Sequence, residues 1–189
     1  MNERRPLFIP VILGTVRQGR MSEHVANLVV NELANFPSIQ TELIDIGKIP
    51  LPVNGAGEDI KDPQFSAQCD RADAFVIIAP EYNHGYPGLL KHVLDTNLKE
   101  YIHKAVGIVG VAAGPFGGTR VVQNLLPVMR ELGLVTIFWD GNVSQVHKCF
   151  DASGKLLDPA YPRRLEKFIK ELIWMGTVLR YGRENVSQE

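Results

Sequence analysis

Neither sign of charge is in excess: 20 lysines and arginines face 21 acids, a net charge of -1. No global field therefore draws the chain to nucleic acid or to an anionic membrane surface, and neither is expected as a partner. Cysteine is scarce as well. Cys69 and Cys149 lie far apart and match no Cys-x-x-Cys pattern, which excludes a disulfide framework and suits a reducing cytoplasm. No stretch approaches the roughly eighteen apolar residues that a membrane span requires. Leu7–Leu13 follows two arginines but is broken by Pro10 and lacks a small-residue cleavage site, so it reads as a strand. Catalytic signatures are missing too. The histidines at 24, 84, 92, 103 and 147 form no HExxH pattern, no metal site is expected, and there is no Gly-x-Ser-x-Gly elbow. Gly14 and Gly19 bracket four residues as in a Walker A loop, but Arg20 and Met21 stand where Lys and Ser/Thr should follow. The Gly-x-Gly-x-x-Gly dinucleotide fingerprint is absent.

What is present centres on residues 73–95, where an apolar strand, a polar turn and an amphipathic helix follow without spacer. Ala74 to Ala79 is the continuous apolar run of a parallel strand buried on both faces. It stops at Pro80, and the loop then offers Glu81, Tyr82, Asn83, His84, Gly85 and Tyr86 before Pro87, which suits the first turn of a helix. Leu89, Leu90, Val93 and Leu94 recur at helical spacing. A second such loop follows Leu7–Leu13, running from Gly14 to Ser22. A helix is expected to start near Ser22, whose hydroxyl could cap it. Free amides and the positive helix end there would cradle a phosphate, with Arg17 and Arg20 adding charge-assisted bonds. A third loop, Ala113 to Gly118, follows the apolar run Ala105–Ala112. The plainer reading of each loop is an ordinary βα turn with solvated charges.

Thr41–Ile46 is expected as a strand, 47–64 as a long surface loop, and Phe65–Ala72 as a short helix. Thr119–Leu132 reads as a helix that Pro127 could kink and Gly133 stops. Leu134–Trp139 reads as a last core strand, 140–159 as a hairpin or a segment against a partner chain, and Pro162–Arg180 as the closing helix. At 189 residues this is one domain. Strands alternating with helices imply an α/β doubly wound fold, a five-stranded parallel sheet of order 2-1-3-4-5. In that order the loops at 14–22, 80–87 and 113–118 all open at the carboxyl edge, beside the topological switch point where such sheets bind ligands.

GTVRQGRMS after the first strand, PEYNHGYPGLLKHVLD after the third and AAGPFGG after the fourth resemble the NADPH-dependent FMN reductase family, across nearly the whole chain. The resemblance implies a flavodoxin-like fold, FMN as cofactor, NADPH or NADH as donor, and a quinone, azo compound, free flavin or metal oxyanion as acceptor. It matches Thr15, Arg17 and Ser22 to phosphate-binding positions, with Arg20 an extra contact. Pro80, Glu81, Tyr82 and Asn83 match the loop edging the isoalloxazine ring, and Gly114, Gly117 and Gly118 the loop at its other side. His84, Gly85, Tyr86 and Phe116 are then substrate-adjacent, and no side chain is singled out as catalytic. Thr15 stands where Ser is common, and His92 and Thr96 replace an Asn and a Trp often found in the helix after the middle motif. A homodimer or homotetramer is expected, because Leu89, Leu90, Val93 and Leu94 offer more apolar surface than one sheet face needs. The competing readings are a flavodoxin-like electron carrier, whose family is usually strongly acidic, and a flavin-binding redox regulator.

Overall fold

The computed structural model describes residues 5–151 and 153–187. Eight short strands carry the sheet pairings: β1 Leu7–Phe8, β2 Val11–Leu13, β3 Ile39–Gln40, β4 Leu43–Asp45, β5 Ala74–Pro80, β6 Ala105–Val111, β7 Val135–Thr136 and β8 Gly141–Val143. Every strand pairing is parallel. The main sheet runs β4-β2-β5-β6-β7, with β8 continuing alongside β6 beyond β7. Joining each interrupted strand to its continuation gives the expected order 2-1-3-4-5. Two of the interruptions face each other. Pro10 has no N–H to give a ladder, and the chain divides there into β1 and β2 while the neighbouring strand divides into β3 and β4. The strand expected at 41–46 is accordingly the two pieces 39–40 and 43–45.

Because both faces are covered, the central strands are apolar throughout, yet their side chains still separate with period two. Val76 and Ile78 of β5 join one core with Val11 and Leu13 of β2, packed by α1 (Ser22–Ala34) and α5 (Tyr161–Asn185). Phe75 and Ile77 join the opposite core with Ile12, packed by α2 (Pro63–Arg71), α3 (Gly88–Leu94) and α4 (Thr119–Glu131). Asp62 caps α2, its carboxylate accepting from the Phe65 amide at 2.7 Å. α4 passes through Pro127 as one helix and ends before Gly133, whose φ of 73° suits a glycine stop.

Two expectations need correction, while the short hairpin expected within 140–159 is present. Leu134–Trp139 is not a continuous core strand. From Thr136 to Gly141 the edge chain advances five positions while its partner advances three, from Val106 to Val109, so extra chain bulges outward and leaves Phe138 79% exposed. A bulge on an edge strand also blunts the edge against further pairing. The segment 140–159 holds β8, one turn of 3-10 helix at Val146–Lys148 and an antiparallel bridge between Phe150 and Leu156. Finally, Leu90, Val93 and Leu94 are fully buried in their own chain and Leu89 packs against the same core. The face of α3 offered as surplus for a dimer is used up within the monomer.

Candidate functional site

After β2 the Gly14 amide donates to the Ile78 carbonyl at 2.9 Å, holding the first loop against β5. A Cβ at Gly14 would stand 2.8 Å from that oxygen and 2.9 Å from Leu90 Cδ2, so the turn requires glycine. Thr15 is buried, and its Oγ1 lies 2.8 Å from the Tyr82 hydroxyl. α1 begins at Ser22, but the cap position is Met21 and no side chain caps it, contrary to the expected Ser22 cap. Ser22 is instead only 4% exposed, with no described hydrogen bond from its hydroxyl. Among the described residues, the amides of 18–22 also donate to no protein acceptor. A cluster of backbone donors at a helix start without protein acceptors is what an anion needs.

The two arginines of this loop differ. Arg20 donates to Asp45 at 2.5 Å, to Glu23 at 3.5 Å and to the Thr15 carbonyl, so it braces the loop from below. Arg17 has no acidic partner among the described residues; its guanidinium lies 5.7 Å from the centre of the Tyr82 ring, and the side chain is exposed. A depression of about 300 Å³ beside the loop is lined by Arg17, Lys48, Gly19 and Glu23. A larger depression, about 880 Å³, lies between α4 and β7 around Leu126, Pro127 and Leu134. None of the three loops lines it, so volume does not identify the chemistry here.

The second loop leaves β5 with the Glu81 amide bonded to the Val111 carbonyl at 2.8 Å. Tyr82 and Gly85 then exchange two backbone bonds of 2.9 Å around Asn83 and His84, whose φ values are 49° and 69°. Two left-handed residues between a bonded pair make the tight hairpin turn that usually needs Asn and Gly. Asn83 tolerates this region readily, whereas His84 is held there: Asn124 Nδ2 of α4 donates to its carbonyl at 2.7 Å. Pro87 is the residue before α3, one position earlier than expected.

The third loop is braced by the edge chain, the Ala112 amide donating to Val143 O and the Gln145 amide to Gly114 O, each at 3.0 Å. Gly118 has φ 77°, and a Cβ there would meet Gly110 C and Val111 N at 2.6 Å, so the loop closes directly on β6. Phe116 is 62% exposed, with the Arg120 guanidinium 4.7 Å from its ring centre.

The three loops therefore meet. Thr15 joins the first to the second through Tyr82, and Arg120 joins the second to the start of α4, its Nη1 donating to Glu81 at 3.2 Å. Arg120 and Asn124 were not among the residues expected from sequence. The available signal was an arginine in the first helical turn after Gly117-Gly118. Pro80, Gly85 and Tyr86 lie in the same stretch as expected.

The model of the family described as NADPH-dependent FMN reductase matches residues 8–147, which include all three loops. The chain belongs to this family. An NAD(P)H-dependent FMN reductase of Pseudomonas aeruginosa is 27% identical over 173 residues, covering 87% of this chain and 92% of the relative. A quinone reductase of Pseudomonas putida is 30% identical over 171 residues, with 82% and 87% covered. Among solved structures, the flavoenzyme NAD(P)H:(acceptor) oxidoreductase of Paracoccus denitrificans superposes with a TM-score of 0.73 at 21% identity, covering 91% of this chain and 98% of that one. A short-chain flavodoxin superposes with a TM-score of 0.62 at 19% identity, covering 90% and 99%. At that identity the likeness concerns the fold, which is flavodoxin-like.

Proposed function

We propose that the crevice holds FMN with its phosphate in the first loop and its ring between the second and third, and that NAD(P)H and a quinone-type acceptor use one open ring face in turn. Membership of the family makes the chain an NAD(P)H-dependent flavin oxidoreductase with FMN as cofactor. The meeting of the three loops through Thr15, Tyr82, Glu81 and Arg120 carries the finer reading.

The donor set suits the cofactor. Phosphate would be held by the amides of 18–22, the Ser22 hydroxyl and Arg17, the cation of the loop without an acidic partner. Arg20, spent on Asp45 and Glu23, positions that loop and contributes its field rather than a free fork. The ring edge would be met by the Asn83 amide, since those of Glu81 and Tyr82 are bonded to Val111 and Gly85, and by the amides of Gly114, Gly117 and Gly118, where the absence of side chains allows close approach. When bound, FMN supplies a ring that accepts and returns a hydride. The protein's part is to keep that ring flat, to offer donors where negative charge develops, and to leave one face open. His84, Gly85, Tyr86 and Phe116 border that face, so acceptor selectivity belongs to them.

The electron-carrier reading shares the fold but sits poorly with a net charge of -1, since such carriers dock by strong acidity. The two unpaired, buried thiols suit a reducing cytoplasm, and among the described residues no helix is long and apolar enough to cross a membrane. A homodimer or homotetramer draws support from exposed Phe138 and Trp139 on the sheet edge rather than from α3. The deciding experiment is steady-state NADPH and NADH oxidation with a quinone, after establishing flavin content. One FMN per chain and parallel double-reciprocal lines are expected, because stacked donor and stacked acceptor exclude each other. Protein that neither contains nor takes up FMN, or intersecting lines with a ternary complex, overturns the reading.

A further inference from the structure

Glu81 is 10% exposed at its side chain, and both described partners of its carboxylate belong to one residue. The Arg120 backbone N–H donates at 3.3 Å and Arg120 Nη1 at 3.2 Å. The first of these bonds satisfies an amide at the start of α4, where no cap side chain serves, since Gly118 occupies that position. The second neutralises the carboxylate. The same guanidinium lies over Phe116, so one side chain touches both loops that flank the proposed ring site. Asn124, one turn further along α4, adds a separate tether to the His84 carbonyl.

We infer that Arg120 is the positioning residue of the flavin ring: it sets the separation of the two flanking loops and cancels the charge of Glu81 at the ring edge. The inference rests on the FMN reading above. Hydride transfer from NAD(P)H brings two electrons and one proton, leaving NAD(P)⁺ and adding one negative charge to the ring. An unneutralised carboxylate nearby opposes that charge, and a paired one does not. The ion pair thus acts on reduction as well as on shape, which separates it from a purely structural clamp.

The test compares wild type with Arg120→Ala, Arg120→Lys and Glu81→Gln, using fluorescence titration with FMN and riboflavin and redox titration of the bound flavin. Arg120→Ala is expected to weaken both flavins by the same factor, about tenfold, because the lost charge-assisted bond serves the ring end and not the phosphate end. Its midpoint potential should fall. Glu81→Gln should raise the potential although it loosens the same loops, and Arg120→Lys should stay near wild type. Loosening alone would move the alanine and glutamine variants in one direction. Shifts of equal sign, or no shift for Arg120→Ala, overturn the inference. If the alanine variant does not fold, Glu81→Gln decides: a raised potential supports the inference and an unchanged or lowered one overturns it. Absence of FMN binding by wild type, measured first, would instead overturn the functional reading.

Discussion

The two ends of the sheet are built on opposite plans. At the amino edge, Asp73 is fully buried and saturated: Arg5 donates to it at 2.7 and 3.0 Å, Arg183 at 3.2 Å and the Phe8 amide at 3.0 Å, with Arg180 within 3.6 Å. Lys104 beside it donates to the Cys69 and Asp70 carbonyls at 2.7 Å, closing the end of α2. At the carboxyl edge, the backbone amides of 18–22, the Ser22 hydroxyl and Arg17 have no described acidic or carbonyl partner. One end spends its polar groups on the fold, and the other leaves several of them without a protein partner among the described residues. The difference shows where stability and where binding should respond to substitution.

The largest effect should come from the saturated end. Asp73→Ala leaves converging guanidinium groups without their buried anion, and loss of one partner of a buried pair costs about 3–5 kcal/mol. Chemical denaturation should show that loss; a variant as stable as wild type would mean that the cluster is solvated. At the open end, Arg17→Ala should leave the denaturation midpoint within error yet weaken FMN by about tenfold to a hundredfold, as expected for one charge-assisted bond. Riboflavin should bind as before. Equal losses for both ligands would make Arg17 structural and erase the contrast between the two ends.

The smallest effect concerns pH. Burial, then the neighbouring Arg183, pulls Lys104 down to about 8 from its ordinary 10.5. Above pH 8 the folded chain releases this proton while the unfolded chain keeps it, so stability should rise with pH. Burial pushes the Cys69 thiol the other way, up to about 12 from 9.0. The unfolded chain loses the thiol proton first, so from about pH 9 upward this group removes stability. Buried Tyr101, raised well above 10.0, does the same beyond its own ordinary value. A shallow rise confined to pH 8–9 is expected in urea midpoints, extending further in Cys69→Ala and vanishing in Lys104→Met. A rise that persists in the methionine variant would assign it to other groups.

Much of the open end is legible locally. Thr15, Arg17, Ser22, Glu81, Tyr82 and Gly118 stand in loops whose Gly, Pro and hydroxyl content announces turns after apolar runs. The saturated end is not legible in this way, because Asp73, Arg5, Arg180 and Arg183 carry no local signal and meet only once three elements are packed. The same holds for α3: its periodicity marks an apolar face, but only packing shows that its own core consumes it.

Apolar periodicity and turn composition by themselves determined the parallel sheet, its order and the three loops at one edge, since strand direction and right-handed crossover leave few arrangements. Only the tertiary structure decided which of those loop residues touch. Thr15 reaches Tyr82 across 67 positions and Arg120 reaches Glu81 across 39, and both contacts depend on the register of β5 against its neighbours. The outward bulge at 138–140 likewise depends on how β7 and β8 register along β6. Register is a property of paired strands, and no single stretch of chain contains it.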